Sequence, residues 1–272
     1  MYSEYEVKKN ICEIGKRIYQ NGFAAANDGN ISVRINDKEI IITPTGVSKG
    51  YMTPDMLLKI DLNGNVISGS MKPSSETKMH LKVYKERSDV KSVIHAHPPY
   101  ATSFAIANIP LNKPIMPEAV ISLGSVPIAE YGTPSTEEIP DAISKYLQKC
   151  DALLLQNHGA LTYGVDLISA YFKMESLEFY AKLSFISESL GGARVLNCSE
   201  VDKLMEVRKK MGIKGRNPGC DTCSNMSCEL NPRKKNSDYP KNCGCSKGGE
   251  YKGEVEELVE AVTKKVLEAL KK

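Results

Sequence analysis

The chain has 272 residues, 41% hydrophobic and 25% charged, with a net charge of +3, five phenylalanines and no tryptophan. That is enough for one sizeable core plus an appendage, and too little positive charge to indicate nucleic acid by itself. No apolar run reaches bilayer length and the opening MYSEYEVKKN lacks a signal-peptide segment, so a soluble, intracellular protein is expected, a setting in which disulfides among the eight cysteines are rare.

Residues 3–21 read as a helix, with Val7, Ile11, Ile14 and Ile18 on one stripe. NISVRI and EIIITP read as strands around the Asn-Asp turn at 36–37, and LLKIDLNGNVIS as a hairpin about Asn-Gly. SSETKMHLKVYKER opens with serine and carries glutamate close behind, which suits a helix start. SVIHAHP reads as a strand ended by Pro98, and ALLLQNHGALTYG as two short strands around Asn-His-Gly. Residues 166–190 and 199–211 read as helices. Many short strands joined by hairpins predict a mixed or largely antiparallel sheet covered by helices.

The composition breaks near residue 213. Residues 214–253 are rich in Gly, Pro, Asn, Ser, Lys and Cys with almost no aliphatic side chains, so a disordered linker is expected there. Within it, Cys220, Cys223, Cys228, Cys243 and Cys245 read C-x2-C-x4-C-x14-C-x-C, which fits either reduced thiols on a linker or a closed thiolate metal site. Cys12, Cys150 and Cys198 read as inert core thiols. In residues 254–272, Val255, Leu258, Val259, Val262, Val266, Ala269 and Leu270 form the apolar stripe of a short amphipathic helix. The domain plan is therefore a body over 1–213, a linker over 214–253 and a helix over 254–272.

The chain has four histidines. On a strand, residues i and i+2 project to one face, so His95 and His97 leave the same side of SVIHAHP. A lone His-x-His is also compatible with a core histidine bonded to backbone. His158 stands at another strand end, before a glycine; three histidines so placed resemble the protein ligands of a catalytic zinc site with one position open. NDGNIS, TPTGVSKG and KPSSET supply the Gly turns, hydroxyls and positive helix end that a phosphate needs, although turns are built of such residues in any case. Glu76 follows the serines and reads either as a carboxylate beside a metal or as an exposed first-turn glutamate favouring the helix dipole.

NDGNIS, TPTG, PSSE, HAHPPYA and QNHG, in this order, resemble class II aldolases of the fuculose-phosphate aldolase type over residues 5–212. The resemblance implies a three-layer α/β/α sandwich with a mainly antiparallel central sheet, shared with adducin heads. It implies zinc on His95, His97 and His158; Glu76 as acid/base and as a group able to touch zinc; and phosphate binding by Gly29, Asn30, Thr45, Gly46, Ser74 and Ser75. His80 fits the family pattern as a supporting residue. The implied activity is reversible cleavage of L-fuculose 1-phosphate to dihydroxyacetone phosphate and L-lactaldehyde by a cytoplasmic homotetramer. Pentulose-phosphate 4-epimerase and methylthioribulose-phosphate dehydratase activities are alternatives on the same scaffold, and an adducin-like structural domain is the non-enzyme alternative. The family tyrosine that protonates the aldehyde oxygen is missing: PIMPEAVISLG has Pro117 near its place, leaving Tyr131, Tyr163 or water as donor. The linker and terminal helix resemble the encapsulation peptides that take enzymes into bacterial microcompartments, which implies a shell protein as partner of 254–272. Nucleic-acid and membrane partners are not expected.

Overall fold

The computed structural model describes residues 3–219. The first helix, α1 (Glu4–Gln20), is closed at its start by a reciprocal Ser3–Glu6 capping box and buries Ile11, Ile14 and Ile18. Strands β1 (Asn30–Arg34), β2 (Glu39–Ile42), β3 (Leu58–Asp61) and β4 (Val66–Ser68) follow, then α2 (Thr77–Glu86) and β5 (Ser92–Ala96). The remaining elements are α3 (Pro99–Ile106), α4 (Pro117–Ser122), β6 (Ile128–Ala129), α5 (Glu138–Leu147), β7 (Ala152–Leu155), β8 (Gly159–Gly164), α6 (Leu167–Ser189) and α7 (Cys198–Lys210).

The strands form one eight-stranded sheet in the order β4-β3-β2-β1-β5-β8-β7-β6. Every pairing is antiparallel except β6 with β7. Strand alternation divides the interior into two cores. Ile31, Ile41 and Ile94 face α1, α3 and α6, whereas Ile40, Ile42, Val93, Leu153 and Leu161 face α2 and α5. The result is the expected α/β/α sandwich with a mainly antiparallel sheet. Beneath it, Asp151 accepts bonds from Arg87 Nη2, Lys173 Nζ and the Arg216 backbone N–H, each at 2.8 Å.

Several expectations are corrected. The body does not stop at residue 213: Arg208 bonds the carbonyls of Lys214 and Gly215, and Asn217 Nδ2 bonds those of Val120 and Ile121, so 214–219 pack onto it. Helices α3, α4 and α5 and strand β6 were not foreseen. Cys198 takes part in a disulfide and is not a core thiol, while Cys12 is free and the buried Cys150 thiol donates to the Tyr146 carbonyl at 3.6 Å. The five tail cysteines and the amphipathic segment 254–272 lie outside the described residues. Among the described residues no helix is long and apolar enough to cross a membrane.

Candidate active site

Strand β5 sends Ile94 toward α1 and α6, so His95 falls on the α2 side at the strand end. Its Nδ1–H donates to the Ala160 carbonyl at 2.9 Å, which leaves the Nε2 lone pair facing inward. His97 lies one residue past the strand, its backbone N–H bonded to the Phe23 carbonyl at 2.8 Å. Its Nε2 is 3.0 Å from His95 Nε2, and its Nδ1 is 3.4 Å from Asp28 Oδ2. His158 sits in the β7–β8 turn, which the left-handed Asn157 (φ 55°) allows to be tight. Ligand-capable nitrogens of the three histidines all lie within 4.8 Å of one another. Gly159 is required beside them, because a Cβ there would stand 2.6 Å from His97 Cδ2 and 2.7 Å from the Ala96 carbonyl.

Glu76 is the N-cap residue of α2, yet its side chain makes no cap hydrogen bond. It turns instead into the histidine cluster, with Oε2 3.2 Å from His95 Nε2 and Oε1 3.2 Å from His158 Nε2. The helix-start signal in SSETKMH is therefore real, but the glutamate is not a capping-box residue. Three inward imidazole nitrogens and a carboxylate form a donor set suited to a divalent transition metal. Two details of the site fit such an ion: His95 Nε2 and His97 Nε2 approach each other to 3.0 Å, and Glu76 Oε1 is buried without a hydrogen-bond partner.

Burial opposes charge throughout the cluster. Burial would raise the Glu76 pKa, but His95, His158 and the Asn30 amide outweigh it and hold the carboxyl well below its usual range. Burial and then the charge of His95 push His158 down to about 4, and the same two causes lower His97. Burial would lower His95 as well, but the adjacent Glu76 raises it above its ordinary value. Metal ligation requires a carboxylate and neutral imidazoles; the lowered pKa values of Glu76, His97 and His158 run in that direction, and the raised one of His95 runs against it, so an ion would have to displace a proton there.

The turns expected to hold phosphate gather beside this cluster. Pro44 and Pro73 form an isolated bridge, Thr45 N–H donates to the Lys72 carbonyl at 3.0 Å and Ser74 N–H to the Thr43 carbonyl at 3.3 Å. This joins 43–46 to 72–75 at the start of α2. Gly46 adopts φ 73°, Thr45, Gly46 and Ser75 are exposed, and Ser74 is buried with its hydroxyl accepting the Glu76 N–H. Gly29 (φ 76°) runs so close to β5 that a Cβ would meet the His95 carbonyl at 3.0 Å. Asn30 differs from the others: it is buried at the start of β1, and its side-chain amide donates to Glu76 Oε2 at 2.8 Å.

Lys49 was not foreseen. It is 1% exposed, and its Nζ donates to the carbonyls of Asn27 (3.0 Å) and Val47 (2.5 Å), tying the two glycine turns together. Burial lowers its pKa to about 8, partly opposed by Asp28. In TPTGVSKG it reads as an ordinary turn lysine, so only the folded contacts expose it. Tyr163 is removed as a proton donor: it is fully buried and its hydroxyl donates to the Cys150 carbonyl at 2.7 Å. Tyr131 is exposed, and its backbone N–H is bonded to Gln156, two residues from His158. Pro117 opens α4.

Residues 9–185 match the family described as Class II Aldolase and Adducin N-terminal domain, and the chain belongs to that family. An L-fuculose phosphate aldolase of Methanococcus maripaludis is 35% identical over 178 residues, which is 65% of this chain and 96% of that protein. A 3-oxo-tetronate 4-phosphate decarboxylase of Haemophilus influenzae is 34% identical over 208 residues, 75% of this chain and 97% of that protein. A solved L-fuculose 1-phosphate aldolase superposes with a TM-score of 0.71 at 31% identity, covering 78% of this chain and 98% of its own.

Proposed function

We propose that this chain is a zinc-dependent lyase for a phosphorylated ketose, cleaving L-fuculose 1-phosphate reversibly to dihydroxyacetone phosphate and L-lactaldehyde. The observation that carries the reading is the convergence of His95, His97, His158 and Glu76, with Gly29 packed against the His95 carbonyl and the Thr45–Gly46 turn bonded to the Ser74–Ser75 turn that leads into Glu76. The three histidines would hold the ion, which when bound supplies Lewis acidity for the charge that develops beside the substrate carbonyl. The turns would fix the phosphate and so orient the bond to be broken at a distance from it. The C3–C4 electron pair passes to the neighbouring carbonyl as that bond breaks, leaving an enediolate. Glu76 delivers a proton to C3 and, in the synthetic direction, its carboxylate removes that proton again. The C4 hydroxyl proton leaves to Tyr131 or to water.

Decarboxylation of 3-oxo-tetronate 4-phosphate is the second reading, supported by the Haemophilus influenzae relative and by the absence of tyrosine near Pro117. Loss of carbon dioxide from that β-keto acid leaves the same dihydroxyacetone phosphate enediolate, and no aldehyde oxygen needs a proton. Both reactions therefore end in the same protonation by Glu76 and the same phosphorylated product. The test is to incubate zinc-loaded protein with each compound and follow dihydroxyacetone phosphate together with the co-product. Lactaldehyde supports the aldolase, carbon dioxide supports the decarboxylase, and no product from either compound overturns both. The complete His/His/His/Glu set speaks against an adducin-like structural role, which bound zinc at one equivalent per chain would test.

We also propose a cytoplasmic homotetramer delivered to a microcompartment shell by 254–272. Exposed Ile168, Phe172, Phe179 and Ile186 along one side of α6 support an interface between copies. Sedimentation of a monomer, or shells that retain the enzyme after 254–272 is deleted, would count against these two proposals respectively.

A further inference from the structure

Behind Glu76 runs a line of four buried polar side chains. Asn30 Nδ2 donates to Glu76 Oε2 at 2.8 Å, and Asn30 Oδ1 is 2.5 Å from His80 Nε2. His80 Nδ1 is 2.7 Å from Ser32 Oγ, which is 2.8 Å from the Tyr84 hydroxyl. Asn30, Ser32, His80 and Tyr84 are 3%, 0%, 0% and 2% exposed, so water does not compete for these bonds.

Hydrogen-bond chemistry fixes the direction of the whole line. An ionised carboxylate only accepts, so Asn30 must turn its NH2 toward Glu76 and its oxygen toward His80. That oxygen also only accepts, so His80 must carry its proton on Nε2. The Nδ1 lone pair then accepts the Ser32 hydroxyl proton, and Ser32 Oγ accepts from Tyr84. The reverse direction would set the Asn30 oxygen 2.8 Å from the carboxylate, two acceptors facing each other in a dry site. Burial holds His80 down to about 3, with His95 adding to it and Glu76 opposing, so the ring is the neutral link that the line needs.

We propose that Tyr84, Ser32, His80 and Asn30 form a one-way positioning relay that locks the Glu76 carboxylate in the orientation from which it exchanges a proton with the substrate. None of the four is a catalytic residue; each acts through the next. The proposal deepens the lyase reading and rests on it for its kinetic consequence. It also assigns the Asn30 side chain to Glu76, in contrast to the phosphate role that the resemblance implies. On the phosphate assignment, altering Asn30 raises KM; on the relay assignment it lowers kcat.

The direct test reads the His80 tautomer in the full-length, zinc-loaded protein labelled with 15N-histidine. With only four histidines in the chain, the His80 signals are identified by their loss in His80→Gln. The expected result is a neutral ring protonated at Nε2 from pH 6 to 8; an Nδ1–H ring or an imidazolium overturns the relay. The second test measures exchange of the carbon-bound protons of dihydroxyacetone phosphate in D2O. Asn30→Asp should lower kcat for exchange by about tenfold or more with KM changed less than about twofold. His80→Phe should do the same, and His80→Gln, which keeps an N–H for Asn30, should recover much of the loss. Raised KM at unchanged kcat in Asn30→Asp overturns the proposal, and Asn30→Asp decides alone if His80→Phe does not fold. If the wild-type protein exchanges no protons, the lyase reading fails, while the tautomer measurement still decides the relay.

Discussion

Glu76→Gln is the substitution that most directly separates shape from chemistry at this site. The side chain is 10% exposed and lies between Asn30, His95 and His158, so the isosteric amide can occupy the same space. Its oxygen can still accept from Asn30 Nδ2, and its NH2 then faces the imidazole nitrogens. Stability should change little, because the lost attraction to His95 and His158 is offset by no longer burying a charge. Proton transfer, however, is lost. General acid–base catalysis contributes about 10²–10⁴-fold, so the barrier should rise by roughly 3–5 kcal/mol. The assay is loss of the carbon-bound proton signal of dihydroxyacetone phosphate in D2O at saturating zinc, which isolates proton removal from carbon–carbon bond chemistry and serves the aldolase and the decarboxylase alike. Exchange within about threefold of wild type, in a variant with normal zinc content, would place the base elsewhere and refute the reasoning.

Chelation should abolish product formation, and one equivalent of zinc per chain should restore it; with zinc at about 100 times its dissociation constant the unfolding free energy should rise by about 3 kcal/mol. Asp151→Asn removes the shared acceptor of buried Arg87 and Lys173 and should lower stability by about 3–5 kcal/mol in urea titration, with the zinc site intact in the folded fraction. Gly29→Ala imposes a left-handed alanine, costing about 1–2 kcal/mol, and its Cβ presses on the His95 carbonyl, so a lowered urea midpoint should come with weaker zinc binding in chelator competition. Lys49 has a folded pKa lowered to about 8 from 10.5, so the unfolded chain binds the extra proton between those values and this group makes stability rise with pH across that window. The stability of wild type relative to Lys49→Met should accordingly improve from pH 7.5 to 9.5; a flat difference would show that the amine titrates normally.

Much of the fold could be read where side-chain period and turn chemistry agreed. The 3–21 helix appears as Glu4–Gln20, and the 166–190 and 199–211 helices as Leu167–Ser189 and Cys198–Lys210. The hairpin about Asn-Gly and the strands flanking Asn-His-Gly are also present. The missed elements lacked those signals. Helix α3, PYATSFAI, has no charged face, and α5, EIPDAISKYL, carries Pro140 in its first turn, where proline is tolerated but reads as a break. Strand β6 is two residues long and exists through its parallel pairing to β7. Segment 214–219 has linker composition and is held by partners distant in sequence, Asp151 and Val120 among them. The histidine cluster was legible because spacing places two of its members together. Glu76 was half legible from local sequence: a carboxylate directly after the serines suits a neighbouring metal, but a first-turn glutamate equally serves the helix end, and only the resemblance pointed to an acid/base role.

The line behind Glu76 follows from two periodicities meeting. On β1, Asn30 and Ser32 are two apart and therefore share a face. On α2 and its cap, Glu76, His80 and Tyr84 are four apart and therefore lie along one side of the helix. An N-x-S strand opposite an E-x3-H-x3-Y helix presents alternating partners in order: Glu76, Asn30, His80, Ser32, Tyr84. The register of β1 with β5 then sets Asn30 directly across from His95, so the residue that orients the carboxylate and the residue that meets the carboxylate are cross-strand neighbours. A one-residue slip of β1 against β5 would carry Asn30 and Ser32 to the α1 face and leave His80 and Tyr84 without partners in a dry core. The polar line thus opposes the slipped register, and the same contacts that specify the strand pairing also point Glu76 at the histidines.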